Sequence, residues 1–291
     1  MNIVDELKQN FKKGNNLTRL IYINVGVFII VNLINLVYWL ATRGSVDFWF
    51  LTYPSNIFLF FHRPWTIVTY MFMHSQTDIW HIVFNMLWLY WFGQIFLQYL
   101  DQKKLLTVYI LGGFAGALLY TLVYNIFPAF ELERFGSTMV GASAAIMAVV
   151  IAIATIVPNY TIQLLLLGRV KLKYIAIFTV VIDLISIQSS NAGGHIAHIG
   201  GALFGYIYAV RYLKGHDFTT GFTKFLNSFF SLFKPRKRMK VTYKKPVDDY
   251  EYNRTKVEEQ KEIDRILDKI AKGGYESLSK NEKDFLFKSS K

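Results

Sequence analysis

Cysteine is absent from the 291 residues, which excludes disulfides and thiolate chemistry. Charge is scarce as well. Only 18% of the chain is Asp, Glu, Lys or Arg, against 53% hydrophobic and 17% aromatic residues, a composition too apolar for an ordinary soluble domain. No HExxH metal-peptidase pattern occurs. The first apolar run has too long a core for a secretory signal, and no small-x-small cleavage pattern follows it, so it is expected to remain in the chain.

What is present is a series of apolar runs. Six of them are long enough, or nearly so, to cross about 30 Å of hydrocarbon at about 1.5 Å per residue. They lie near Leu20 to Ala41, Ile79 to Leu100, Leu105 to Phe127, Val140 to Val157, Tyr174 to Ile187 and Ala197 to Leu213. The expected fold is therefore an all-α membrane protein, a six-transmembrane-helix bundle with a small cytosolic helical tail.

Orientation follows from the cationic loops, which are retained on the cytoplasmic side. Lys8, Lys12, Lys13 and Arg19 precede the first run, Lys103 and Lys104 follow the second, and Arg169, Lys171 and Lys173 follow the fourth. The alternate loops hold only Arg43, Arg63 and Arg134. Both termini are thus expected to be cytoplasmic, in a multi-pass protein of the cell membrane. Runs two, four and six pass from outside to inside.

With that sidedness, polar residues from three runs converge at one depth near the outer boundary. Run two offers His81 and Asn85, one helical turn apart on one face. Run four offers Ser143, expected about four residues into the helix and so about 6 Å below the boundary. Run six offers His198, with His195 one turn before it. A lone intramembrane serine reads first as a packing residue, and a lone His or Asn as helix glue. Several together supply the parts of nucleophilic catalysis. Ser143 is a hydroxyl nucleophile and His198 a base to take and return its proton. Free N–H groups at the start of a helix, with Asn85 and His81, are donors for an oxyanion. Gly141 permits a tight turn into the helix.

These residues carry a resemblance. "HIVFN" (His81 to Asn85) is similar to the HxxxN of rhomboid intramembrane serine proteases, "GASAA" resembles their GxSG motif except at its last position, and "AHIGGALFG" (Ala197 to Gly205) resembles their AHxxGxxxG. The resemblance covers residues of about 18–213. It implies a bundle of rhomboid type with a Ser143 and His198 dyad and no obligatory acid. It also implies an oxyanion site from His81, Asn85 and the Ser143 N–H, with transmembrane proteins as substrates. Gly201 and Gly205 fit close packing of the sixth run on the fourth, as small-xxx-small spacing also indicates. Two departures stand out: Ala144 replaces the motif's second Gly, and Met147 stands where some members carry a Tyr that stacks on the histidine. Both bear on whether the chain is a catalytically inactive relative.

A metal reading remains open beside this one. His62, His74, His81, His195 and His198 all fall on the outer side with Asp78, and His195 with His198 makes an i, i+3 pair. On the serine reading there is no metal and no cofactor. Asp183, an acid within run five, reads as setting local electrostatics or pairing with a neighbouring run, with its role left open between the two. The aromatic loop of residues 42–78 reads as lying in the membrane interface, anchored by residues such as Trp65.

After the sixth run the composition changes. Phe222 to Phe233 reads as an interfacial amphipathic stretch. Lys234 to Lys245 carries seven of the cations behind the net charge of +12, next to a membrane span, so anionic lipid headgroups rather than nucleic acid are the expected partner. A tail helix is expected from about Val257 to Lys272, stopped by Gly273 and Gly274. A Ser279 and Glu282 capping box opens a second helix, with Ile263, Ile266, Leu267, Ile270, Phe285 and Leu286 as a small core. The domain boundaries are then a cytosolic N-terminal segment (1–18), the six-span domain (19–213), an interfacial and basic segment (214–248) and the helical tail (249–291).

Overall fold

The computed structural model describes residues 2–164, 168–188, 191–217, 219–231 and 249–289. In chain order the helices are α1 (Ile3–Lys13), α2 (Asn16–Thr42), α3 (Ile57–His62), α4 (Thr66–Thr69), α5 (Ile79–Tyr99), α6 (Gln102–Ile126), α7 (Ser143–Ile156), α8 (Leu172–Ile185), α9 (Ala192–Leu213), α10 (Thr219–Ser231), α11 (Asp249–Gly273) and α12 (Lys280–Ser289). Two antiparallel ladders join loops: β1 (Tyr53–Pro54) with β2 (Thr138–Met139), and β3 (Thr161–Leu164) with β4 (Gly168–Lys171). The chain divides into two compact units, Met1–Phe233 and Lys234–Lys291.

Each of the six apolar runs folds as a helix, α2 and α5 to α9. Short polar side chains start three of them by satisfying otherwise unpaired N–H groups. Asn15 Oδ1 accepts from Thr18 N–H, Asp78 Oδ1 from Trp80 N–H, and Asp101 Oδ1 from Lys103 and Lys104 N–H. Among the described residues, two helices are long and apolar enough to cross a membrane, Asn16–Thr42 and Gln102–Ile126. At 14 residues each, α7 and α8 reach only about 21 Å, shorter than about 30 Å of hydrocarbon.

Burial separates the centre from the periphery. Every residue of α7 from Ala144 to Ala154 is buried, the pattern of a helix enclosed on all sides. By contrast α2, long and largely apolar, turns most of itself outward, with Val37 65% and Leu40 68% exposed. Phe178 and Ile185 of α8 and Phe84 of α5 are outward as well. So wide an apolar exterior suits lipid and not water.

α7 packs most extensively on α9 and α6. The seam is made of missing side chains. A Cβ at Gly201 or Gly205 of α9 would strike the carbonyl oxygens of Ala144 or Ala148, and one at Gly112 or Gly116 of α6 would strike the methyl groups of Ala148 or Ala144. The expected contact of run six with run four is therefore present, and α6 adds a second glycine face not foreseen from the motifs. The methyl of Ala144, the residue that departs from the family pattern, sits over Gly116.

One boundary differs from expectation. The fourth helix begins at Ser143 and not Val140. Gly141 has φ +120, which a right-handed helix cannot include, and its N–H is taken by Tyr70 O at 3.0 Å. Ser143 is thus the first helical residue instead of the fourth. The loop of residues 42–78 also does more than anchor. The β1–β2 pairing, Ser55 N–H to Ser137 O at 3.1 Å and Ser55 Oγ to Arg134 O at 2.6 Å tie it to the segment that leads into α7.

In the second unit, α11 starts at Asp249, eight residues before the expected start, and ends on Gly274, whose N–H donates to Ile270 O at 2.8 Å with φ +74. Ser279 N–H donates to Glu282 Oε2 at 2.8 Å and Glu282 N–H to Ser279 Oγ at 3.4 Å, the reciprocal pair of a capping box. Ile266 is fully buried, whereas Leu267 is 49% exposed and not part of the core. The basic run Lys234 to Lys245 lies outside the described residues, as do the last two residues of the amphipathic stretch.

Overpacking the glycine seam is expected to destabilise the first unit. Gly201→Ala and Gly205→Ala should each lower stability by about 1–3 kcal/mol, read as a fall in thermal unfolding midpoint in detergent, while Gly26→Ala, where a Cβ meets nothing, should not. In the tail, donation from Ser279 N–H, then from Lys269, holds the Glu282 carboxyl down at about 2 from its ordinary 4.5. The charged form is the one with partners, so the α11–α12 contact should persist above pH 4.5 and be lost as pH falls through about 2. Amide exchange at Ser279 across that range reads the loss, and Glu282→Gln should flatten it.

Candidate active site

The site forms where the N-terminus of α7 meets α5, α8 and α9. No side chain caps α7, and the first intrahelical bond is Ile146 N–H to Ala142 O at 2.9 Å. The N–H groups of Ser143 and its next residues are therefore directed out of the helix at the positive end of its dipole. Ser143 is half-buried there and opens onto a cavity of about 840 Å³, whose wall also includes His81, Asn85, Asp183 and His198.

His81 stands close to the serine. A Cβ on Gly141 would lie 2.9 Å from His81 Nε2 and 3.6 Å from Ser143 Oγ, so the ring nitrogen and the hydroxyl face one small space that only a glycine leaves free. Ser75 N–H donates to His81 Nδ1 at 3.5 Å, which leaves the ring proton on Nε2, directed to that space. Asn85 is buried, and its Nδ2 donates to His81 O at 2.7 Å. One amide hydrogen is thereby committed to its own helix and the second is left for the cavity.

His198 lies on the facing helix. Its Nδ1 is 2.8 Å from Asp183 Oδ1, and His195 Nδ1 is 2.8 Å from the same oxygen. Asp183 is 5% exposed, so this carboxylate is removed from bulk water and partnered by two imidazoles. No hydrogen bond among the described residues joins His198 to Ser143, the open arrangement that unliganded sites often have. Met147 also lines the cavity, one turn into α7 from the serine.

Of the residues singled out in the sequence, Ser143, His198, His81, Asn85 and Gly141 converge on this cavity, and Gly201 and Gly205 form the seam beneath it. Pairing of Asp183 with a neighbouring run is among the sequence expectations, but its partners, His198 and His195, are not named there. The available signal was an unexplained acid inside an apolar run, one of the costliest residues to place there.

The outer histidines do not gather into a single metal centre. His62 is exposed with Nδ1 2.8 Å from Phe58 O. His74 is buried and packs against His81 with ring centroids 5.2 Å apart; burial, then the His81 charge, pushes it down to about 4, so it is neutral at physiological pH. Asp78 caps α5. One trio, Asp183, His195 and His198, does place ligand-type atoms within 4.8 Å of one another. Around a tetrahedral zinc with bonds of about 2.0–2.1 Å, ligand atoms stand about 3.3 Å apart. The two 2.8 Å separations are those of hydrogen bonds instead.

Comparison with known proteins agrees with the motifs. The rhomboid domain family model matches residues 62–215, more than half of the chain, and the chain belongs to the rhomboid family, a family of integral membrane proteins. Residues 247–291 match a second family, one of unknown function. Similar proteins include RHOMBOID-like protein 12, mitochondrial, of Arabidopsis thaliana, 29% identical over 53% of this chain and 48% of that one. Presenilin-associated rhomboid-like protein, mitochondrial, of Bos taurus is 29% identical over 49% and 36%. Presenilin-associated rhomboid-like protein A, mitochondrial, of Danio rerio is 30% identical over 46% and 34%. The chain spans half or less of the length of these relatives. Their names place them in mitochondria, which gives the expectation of a cell membrane no support.

Gly141→Ala should cost about 1–3 kcal/mol of stability through its positive φ and displace His81. Gly136→Ala, where a Cβ meets nothing, is the matched control: a comparable loss of unfolding midpoint in both would show that Gly141 is not specially constrained.

Proposed function

We propose that the chain is an intramembrane serine endopeptidase. Ser143 Oγ attacks a peptide carbonyl of a transmembrane protein, and His198 takes its proton and returns it to the leaving amine. The carbonyl oxygen, as it becomes negative, is received by the Ser143 N–H, His81 Nε2–H and the Asn85 amide. The observation that carries this reading is one cavity holding a serine at an uncapped helix start, a histidine ring nitrogen beside it and a second histidine opposite.

The same reading has α2, α5, α6, α7, α8 and α9 crossing the membrane, with both termini on the side of the cationic loops. The short α7 spans only the protein-enclosed middle, where neighbouring helices replace lipid, and its N-terminal site faces the opposite side from the termini. Water then needs only a short path to Ser143. The substrate's own helix must unwind at the cut, because a fully hydrogen-bonded segment hides its peptide bonds. The basic segment after α10 binds anionic headgroups, and nucleic acid is not a partner.

Co-expression with a tagged single-span reporter tests this. Cleavage by the wild type should fall at least about 10³-fold in Ser143→Ala and in His198→Ala, and should be indifferent to a chelator. Cleavage that survives Ser143→Ala, or that stops with chelation, sinks the serine reading.

A further inference from the structure

We propose that Asp183 is a positioning residue that holds His198 in the one tautomer able to serve as a base, with His195 bonded to the same Asp183 oxygen. The proposal rests on the serine-peptidase reading and goes beyond the dyad it contains.

The argument begins with hydrogen-bond inventory. As a carboxylate, Asp183 can only accept, so the Nδ1 of each ring at 2.8 Å carries a proton. In a neutral imidazole the proton then lies on Nδ1 and the lone pair on Nε2. That is the form His198 needs in order to take a proton from Ser143. Without an acceptor at Nδ1 the ring is free to choose the other tautomer or to rotate away from the cavity. The carboxylate also stabilises the imidazolium that forms when the proton is taken, without itself becoming protonated.

Position supports the role. Asp183 sits on α8 and is 5% exposed, in a run with no other charged residue from Tyr174 to Ile187, where an unpartnered acid would be costly. His195 and His198 lie one turn apart on α9, so a single oxygen from α8 spans both. Two donors on one oxygen restrain the carboxylate far more than one, as supporting bonds do around other histidine sites. Asp183 thereby also ties α8 to α9, although α8 buries few other residues.

The titratable surroundings of His198 are Asp183 from α8, His195 from its own helix, His81 from α5, and Asp78, Tyr124 and Glu133 around the cavity. Of these only Asp183 is bonded to the His198 ring. Removing it should therefore leave the ring with no acceptor that fixes its tautomer.

The full-length protein in detergent, with a fluorogenic transmembrane reporter, supplies the first test. Asp183→Asn should lower kcat by about 10²–10⁴-fold with little change in KM. Asp183→Glu should recover part of kcat, and His195→Ala should lose less than Asp183→Asn. A kcat for Asp183→Asn within about twofold of wild type overturns the proposal. Nitrogen-15 NMR of histidine-labelled wild type is the second test and needs neither a folded Asp183 variant nor turnover. The His198 resonances, assigned by their loss in His198→Ala, should show a protonated Nδ1 and a bare Nε2. The reverse tautomer overturns the proposal even where reporter cleavage depends on Ser143. A correct tautomer alongside cleavage that ignores Ser143 would instead retain Asp183 as the holder of His198 and reject the serine reading.

Discussion

The close approach of α7 to α6 and α9 is the constraint on which the rest depends. Backbone meets methyl group or carbonyl oxygen along that seam, with glycines on both neighbours and alanines between. Lipid offers no hydrophobic drive for helices to associate, so such contacts, summed over many atoms, hold an apolar helix among others. They also fix the height and rotation of α7, and therefore where its uncapped N-terminus opens. A serine two residues along from a left-handed glycine, on a helix pinned this way, has little freedom left beyond its own χ1.

Around that fixed point the polar groups are arranged by ordinary hydrogen-bond accounting. Tyr70 O takes the Gly141 N–H that the broken helix would leave unpaired, and Tyr70 Oη reaches Gly113 O at 2.6 Å, so one buried tyrosine links the turn before α7 to the glycine face of α6. Tyr120 and Ser137 hydroxyls pair at 2.8 Å on the way into the same turn. These bonds are worth little individually in net stability, but leaving their groups unpaired in an apolar surrounding is expensive. The loop of residues 42–78 is thus part of the scaffold of the site, a role its aromatic composition did not disclose.

Much of this was legible in the chain, for identifiable reasons. Apolar runs located six helices because length and hydropathy are local properties, and the Ser143, His81, Asn85 and His198 motifs survive as local patterns. The start of α7 was misplaced by three residues because hydropathy continues through Val140 and Gly141 while the backbone does not; a positive φ leaves no trace in an apolar average. Asp183 could be flagged as anomalous but its partners not named. The i, i+3 spacing puts His195 and His198 on one face, yet what that face meets depends on the placement of α8, which no local pattern encodes. Likewise Leu267 fits the tail's apolar period but turns outward, since α12 covers only part of that face.

The contact of Ala144 with Gly116 has a further implication. The methyl that the serine motif gains on α7 is matched by the side chain that α6 lacks, so the two positions, 28 residues apart in sequence, behave as one volume shared between two helices. A Gly at 144 would leave a void beside the Ser143 backbone, and an Ala at 116 would collide with the Ala144 methyl at 2.7 Å and with Ala197 O at 2.8 Å. Position 116 therefore has to stay bare for Ala144 to stand where it does, although it carries no chemistry at all.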